Sequence, residues 1–240
     1  MKATVFLITG LLGACASTPA PAVGRLADIS VYDRTDQRTL AVHHHQGRYY
    51  VAGKPGNEYQ LIVRNRSNGD LLGVVSVDGI NVVTGDTAAP SQSGYIVASG
   101  DSLEIRGWRK SLQQVAAFYF TSHGDAYATR TGRGDNVGVI GVALFRRRPA
   151  PAALEDRAGA SAESAAPRAA HKALGTGHGR REDSLAEYAA FERATVEPEE
   201  VVRIFYDSHA NLVARGVIKA RPSNPDPFPA RFVPDPPCRG

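Results

Sequence analysis

Cysteine is nearly absent from this sequence: two residues, Cys15 and Cys238, in 240. So few thiols exclude a disulfide framework and a cysteine-rich zinc module. Long apolar runs are missing as well, and none approaches the ~20 residues that a membrane-spanning helix requires. Neither G-x-S-x-G, S-x-x-K nor H-E-x-x-H occurs, which leaves serine-hydrolase and zinc-protease chemistry without its usual signatures. Excess charge of one sign is modest, the formal net charge being +4. The arginines are scattered rather than gathered with aromatics on one element, an arrangement that argues against a nucleic-acid partner. Against these absences stands a hydrophobic content of 42%, sufficient for a sizeable core in one large or two small domains.

The N-terminus is the most specific segment. Lys2 precedes a short apolar stretch, Ala3–Leu12, interrupted by Thr4, Thr9 and Gly10. A charged residue followed by a short apolar run is the layout of an export signal, here residues 1–14. Small residues then run straight into a cysteine, in the order Leu12-Gly13-Ala14-Cys15. This order resembles the lipobox of bacterial lipoproteins. The resemblance implies diacylglycerol transfer to the Cys15 thiol, cleavage between Ala14 and Cys15, and acylation, typically with palmitate, of the new amino terminus. Two or more acyl chains anchor a protein stably where one does not. The residue after the cysteine is Ala16 rather than Asp, which in lipoproteins of Gram-negative bacteria implies delivery to the outer membrane, facing the periplasm. The alternative is a plain secretory signal cleaved near Ala16. With Cys15 lipidated, Cys238 has no partner within the chain and reads as a free thiol in the tail.

Residues 15–38 read as a lipid-anchored tether and lead-in. Residues 39–148 carry short apolar runs separated by Gly, Asn, Asp and Pro. These are Leu40–His44, Tyr49–Ala52, Tyr59–Arg64, Gly73–Val77, Ile80–Val83, Tyr95–Ala98, Leu103–Arg106, Val115–Thr121 and Val137–Phe145. Their spacing predicts a mainly β fold, an antiparallel β-sandwich of jelly-roll or immunoglobulin-like kind. In VVSVDGINVV, Asp78-Gly79 marks a two-residue type I′ hairpin turn, with Val75 and Val77 opposite Ile80 and Val82. NVGVIGVALF is apolar on both faces and reads as a central strand, Gly138 and Gly141 leaving room for a close neighbour. Residues 149–183, rich in Ala, Pro, Gly and charge, read as a flexible linker.

Order is expected to return over residues 184–220. Ser184–Glu187 suggests a capping box, and both helix and strand fit residues 184–194. EVVRIFY, Glu200–Tyr206, reads as a strand. Asp207 to Gly216 reads as a short helix with Asp207 as its N-cap and Gly216 closing it. So small a strand–helix element cannot form its own core and is expected to dock on the sandwich. Residues 221–240 hold seven prolines and read as an extended tail.

No catalytic set presents itself. His43-His44-His45 would place His43 and His45 on one face of a strand, but no third ligand stands at zinc spacing, and neither a metal nor another cofactor is expected. Ser122-His123-Gly124-Asp125 strings together triad residue types, whereas triad members converge from separate elements; Gly124-Asp125 reads as a turn. Thr176–Arg181, within GTGHGRR, lacks the lysine of a phosphate-binding loop and reads as linker. Arg133-Gly134-Asp135 reads as turn chemistry before a strand. Arg146-Arg147-Arg148 reads as a solvated domain edge or as a contact for anionic headgroups. For recognition the strongest combination is PSQSGYIV with RGWRKS, namely Ser91, Ser93, Tyr95, Arg106, Trp108 and Arg109. A tryptophan flanked by cations can stack on a sugar or anchor a partner; the competing reading plugs Trp108 into the core.

The blocks VVSVDGINVVTG, APSQSGYIV, GWRKS, VAAFYFT, TGRGDNVGVIGVALF, FERA and YDSHANLVARGVI are similar, in kind and order, to a proteobacterial protein family of unassigned function. The resemblance spans residues 45–147 and 175–220; it implies that the two ordered parts form one unit and supplies no catalytic residue. The expectation is an outer-membrane lipoprotein with a binding or structural role. Its partners would be the membrane, through Cys15, and an envelope protein or glycan. The alternatives are an envelope hydrolase acting on glycan or peptide through His123, Asp125 or a distant serine, and an accessory subunit of an envelope or secretion assembly.

Overall fold

The computed structural model describes residues 23–149 and 174–219. The export signal, Cys15, most of the linker and the tail with Cys238 lie outside the described residues. In chain order the first strands are β1 (Ala27–Asp33), β2 (Arg38–Thr39), β3 (Val42–His45), β4 (Arg48–Gly53), β5 (Glu58–Asn65), β6 (Leu71–Val77) and β7 (Ile80–Asn81). There follow β8 (Tyr95–Val97), β9 (Ser102–Ile105), β10 (Gly107–Arg109), β11 (Gln114–Ser122), helix α1 (Tyr127–Arg130) and β12 (Val139–Arg146). After the linker come β13 (Leu174–Asp183), β14 (Glu200–Ser208) and helix α2 (His209–Ala214).

These strands form two sheets facing one another, a β-sandwich with little helix. The first runs β10-β11-β5-β1-β2, with β13 along β11 and β9 along β5; the second runs β3-β4-β14-β12-β6-β7, with β8 along β6. Alternation decides which side chains meet. In β1, Ala27, Ile29, Val31 and Asp33 are buried and the residues between them are half-exposed, the period of two expected of a strand with one covered face. Tyr59, Leu61 and Val63 of β5 join them from the same sheet, and Val75, Val77, Ile140, Val142, Val202, Ile204 and Tyr206 close the core from the other. A second, smaller cluster of Leu72, Val74, Ala143 and Phe145 lies apart from it. Their alternation with the inward residues of β6 and β12 puts it on the outer face of the second sheet.

The Asp78-Gly79 turn has the geometry its sequence calls for. Both residues have positive φ, 52° and 73°, Val77 pairs with Ile80, and the Val82 amide donates to Val75 O. The run through Phe145 forms β12, a central strand between β14 and β6. At Gly141 a Cβ would come within 2.7 Å of Ser76 Oγ, so close approach of the neighbouring strand is what that glycine permits.

Three segment assignments change. The lead-in 15–38 contains β1, which pairs with β5 over its whole length; its short run of alternating residues, ADISVYD, follows directly on a Pro/Ala/Gly segment whose composition reads as tether. The linker 149–183 ends before Leu174, because residues 174–183 form β13 along β11. Its glycines recur at every second position: a Cβ on Gly177 would lie 2.2 Å from Tyr119 Cζ, and one on Gly179 would lie 2.7 Å from Ala117 O. Glycine here makes a flat strand surface rather than a flexible chain. Finally, the 184–220 element does not dock on the outside. β14 inserts between β12 and β4, antiparallel to the first and parallel to the second, so an otherwise antiparallel sandwich gains one parallel pair. Val202, Ile204 and Tyr206 need core on their side of the sheet, and only a ladder on both edges satisfies the intervening backbone.

Residues 184–194 form neither helix nor strand beyond a single bridge between Arg193 and Arg147. The amides of Ser184 and Ala186 donate to Gln113 O and Leu112 O beside the first sheet, while Arg148 N donates to Glu192 O and Ala194 N to Arg146 O at the second. The segment is thus a strap from one sheet to the other. At α2 the N-cap is Ser208, whose hydroxyl accepts from the Asn211 amide at 3.2 Å. Asp207 remains in the strand, its carboxylate accepting from Asn211 Nδ2 at 2.7 Å and from the Leu174 amide at 3.3 Å. Gly216, with φ of 72°, closes the helix as its sequence position implies.

Candidate functional site

The residues singled out for recognition are brought together, but by the protein itself. Trp108 is only 3% exposed. Its ring meets Phe118 edge-on at 5.1 Å and Tyr127 at 5.3 Å. Its role as an exposed anchor is therefore corrected to that of a core plug, with Nε1 buried and unpartnered. Arg109 Nε donates to Tyr95 Oη at 2.9 Å, and its other nitrogens donate to Ser184 O and Ser184 Oγ at 2.9 and 3.1 Å. Ser91 gives its carbonyl to Arg193, and Ser93 gives its carbonyl to Asn81 Nδ2. Arg106 pairs with Glu104 at 2.7 Å on the surface. The patch is the seat of the strap: Arg109 holds its start and the 90–92 loop receives its end.

The other candidates resolve similarly. Ser122 Oγ donates to Asp125 Oδ2 at 2.8 Å within a turn, and among the described residues His123 makes no hydrogen bond to either. His44 packs at a tilt against Tyr49, with ring centres 5.3 Å apart, and among the described residues no group of three or more His, Cys, Asp or Glu is placed to hold a metal ion. Arg133 donates to Gly85 O at 2.8 Å. Arg146, Arg147 and Arg148 each have an acid, Glu199, Asp70 and Glu192, which makes the run a paired edge rather than a free basic patch.

One polar constellation was not foreseen. Asp78, buried beneath its turn, accepts from the Gly138 amide at 2.9 Å, from the Thr176 amide at 2.8 Å and from the Tyr206 hydroxyl. Thr176 Oγ1 in turn shares hydrogen bonds of 2.6 Å with Tyr206 Oη and Tyr59 Oη. The chain of contacts crosses the interior from the turn of the second sheet to β13 and β5 of the first. Burial pushes the Asp78 carboxyl up to about 6, against the opposing pull of its three donors. Both tyrosines are driven well above their ordinary range, by burial first and by the Asp78 charge second. Without access from solvent this is a clamp between sheets. Its signal in the sequence was Asp rather than Asn before Gly79, which the turn alone does not require.

Access belongs to a second feature, a groove of about 770 Å³ where Val23–Arg25, Gly47–Tyr49 and β14 meet. Its cations are Arg25, Arg48 and Arg203, and its acid is Glu200. Glu200 is already engaged, its two oxygens accepting from the Arg25 and Leu26 amides at 2.6 Å each. The parallel pairing that sets Ile204 beside Tyr49 brings Arg203 level with Arg48 one residue back. Arg48 lies over the Phe205 ring at 5.4 Å. Among the described residues none of the three guanidinium groups meets a carboxylate. Sequence reasoning missed this site because β4 and β14 are far apart in the chain, and an exposed arginine on a strand looks like any other solvated position. Compared with protein-family models, curated proteins and solved structures, the chain matches none.

Proposed function

We propose that this protein is a lipid-anchored, periplasm-facing component of the outer membrane with a binding or structural role. The observation that carries the reading is Leu12-Gly13-Ala14-Cys15 behind a short apolar stretch. Acylation of Cys15 would supply the attachment; among the described residues no helix is long and apolar enough to cross a membrane. Support comes from Val23, which is already paired with Ile29 only eight residues after the cysteine and so suits a short tether, and from the groove that opens beside it. The test is Cys15→Ala with membrane fractionation and labelled palmitate. The wild type should take up label and sediment with membranes; the variant should lose both or accumulate as an unprocessed precursor. Unchanged retention and labelling would refute the anchor.

A second reading, an accessory subunit of an envelope assembly, draws support from the strap. Leu185 and Tyr188, three residues apart, are 86% and 91% exposed on it, apolar surface that a partner would cover. Tyr188→Ser should then abolish a stoichiometric crosslinked partner, and recovery of monomer alone from wild-type membranes would overturn this reading.

A further inference from the structure

We infer that the groove between Arg25, Arg48 and Arg203 is an anion site for the phosphate of a net-anionic lipid headgroup in the membrane that carries the anchor. The inference rests on the lipid-anchored reading for the source of the ligand, but not for its chemistry. Two like charges level with one another on adjacent strands repel. Elsewhere the protein gives such arginines an acid, as at Arg180 with Glu58 and Glu182 or Arg34 with the same two residues. In the groove Glu200 is consumed by backbone amides, so the excess positive charge is left to a ligand. Guanidinium groups recognise phosphate with paired, charge-assisted hydrogen bonds. Phe205, on the same face as Arg48 and beneath its guanidinium, adds ring surface suited to the glycerol and ester portion adjoining the phosphate.

Position selects the source. Val23 and Gly24 form one wall, and the eight residues back to Cys15 reach at most about 28 Å when fully extended. A lipidated Cys15 therefore keeps the groove within a chain's length of headgroups. An anionic surface attracts each nearby arginine favourably over about a Debye length.

The experiment titrates full-length protein, purified in a non-ionic detergent, with water-soluble dihexanoyl-phosphatidylglycerol and reads affinity by calorimetry. Dihexanoyl-phosphatidylcholine, inorganic phosphate and polygalacturonate serve as competing ligands. The expected result is saturable binding of the phosphatidylglycerol that weakens with salt. It should fall roughly tenfold or more in the Arg48→Gln/Arg203→Gln double variant, the scale of one lost charge-assisted contact. Arg64→Gln, an exposed arginine of β5 outside the groove, should bind like wild type. Equal affinity for the phosphatidylcholine, or no loss in the double variant with its melting temperature intact, would overturn the site. Inorganic phosphate binding as tightly as the lipid would overturn the headgroup as ligand, and polygalacturonate binding in its place would make the partner an acidic glycan. Failure of the anchor shows only in Cys15→Ala fractionation and leaves this titration unchanged.

Discussion

The outer face of the second sheet carries arginines at both ends, and the two ends differ in what those arginines do. At the strap end, Arg193 lies over Phe145 at 4.2 Å and donates to the carbonyls of Pro90, Ser91 and Gln92 at 2.8, 3.2 and 2.6 Å. Arg147 covers Phe191 at 4.5 Å and pairs with Asp70. At the groove end, Arg48 has a ring beneath it and Arg203 has no carboxylate or carbonyl partner among the described residues. A half-buried guanidinium must be satisfied internally or it destabilises the fold, whereas an exposed one is kept in solution by water. Only the second kind remains available to something else. The same residue type is thus a fastener at one end, where Arg193 is half-buried and Arg147 is paired with Asp70, and a receptor at the other, where Arg48 and Arg203 are exposed and meet no acid.

The largest expected effect tests the most buried charge. Asp78→Ala leaves the Gly138 and Thr176 amides and the Tyr206 hydroxyl without their acceptor and should cost about 3–5 kcal/mol in urea unfolding. The same carboxyl gives a pH signature. Raised to about 6 in the folded protein against about 3.9 in an unfolded chain, it holds its proton longer when folded. Its contribution to stability is therefore fullest below pH ~4 and is lost as pH rises through 6, by roughly 3 kcal/mol in all. The difference in unfolding free energy between wild type and Asp78→Asn, followed from pH 4 to 7, measures it, and a flat difference would show that Asp78 titrates normally.

Next comes the fastener. Arg193→Ala should lower stability by about 2 kcal/mol and expose the strap to proteolysis near Phe191. A change under 0.5 kcal/mol would erase the distinction between the two ends. On the opposite sheet, Gly177→Ala should cost about 1–2 kcal/mol, the low end of overpacking because Tyr119 is half-exposed and can swing outward. Tyr119→Ala in the same chain should recover most of that loss. The smallest effect is at the groove. Arg48→Gln and Arg203→Gln should each stay within about 0.5 kcal/mol of wild type, since relief of a like-charge neighbour offsets what Arg48 loses over Phe205. A loss above 1 kcal/mol in thermal or urea unfolding would mean these arginines are fasteners after all.

Much of the sandwich was legible from local pattern. Asp78-Gly79 demands positive φ twice and receives it. The apolar run of β12 is central, and EVVRIFY is a strand, because these properties depend on residues close together in the chain. Where reading failed, the missing information was a neighbour. GTGHGRR has the composition of a linker; it is a strand because Tyr119 lies across its glycines. Trp108 has the flanks of a binding residue; it is core because Phe118 and Tyr127 close over it. Asp207 has the type and position of an N-cap, yet β14 runs one residue further and Ser208 takes the role.

The sequence by itself determined the alternation that buries one face of each strand, the hairpin at Asp78-Gly79, and a cysteine motif that points to an anchor. These are one-dimensional facts, written at spacings of one to four residues. Tertiary structure alone decided that residues 174–183 belong to the first sheet and β14 to the middle of the second. It also decided that Asp78 reaches across the core, and that Arg48 and Arg203 stand side by side without an acid. Each of these depends on segments far apart in sequence, and no local propensity records which strand will lie next to which.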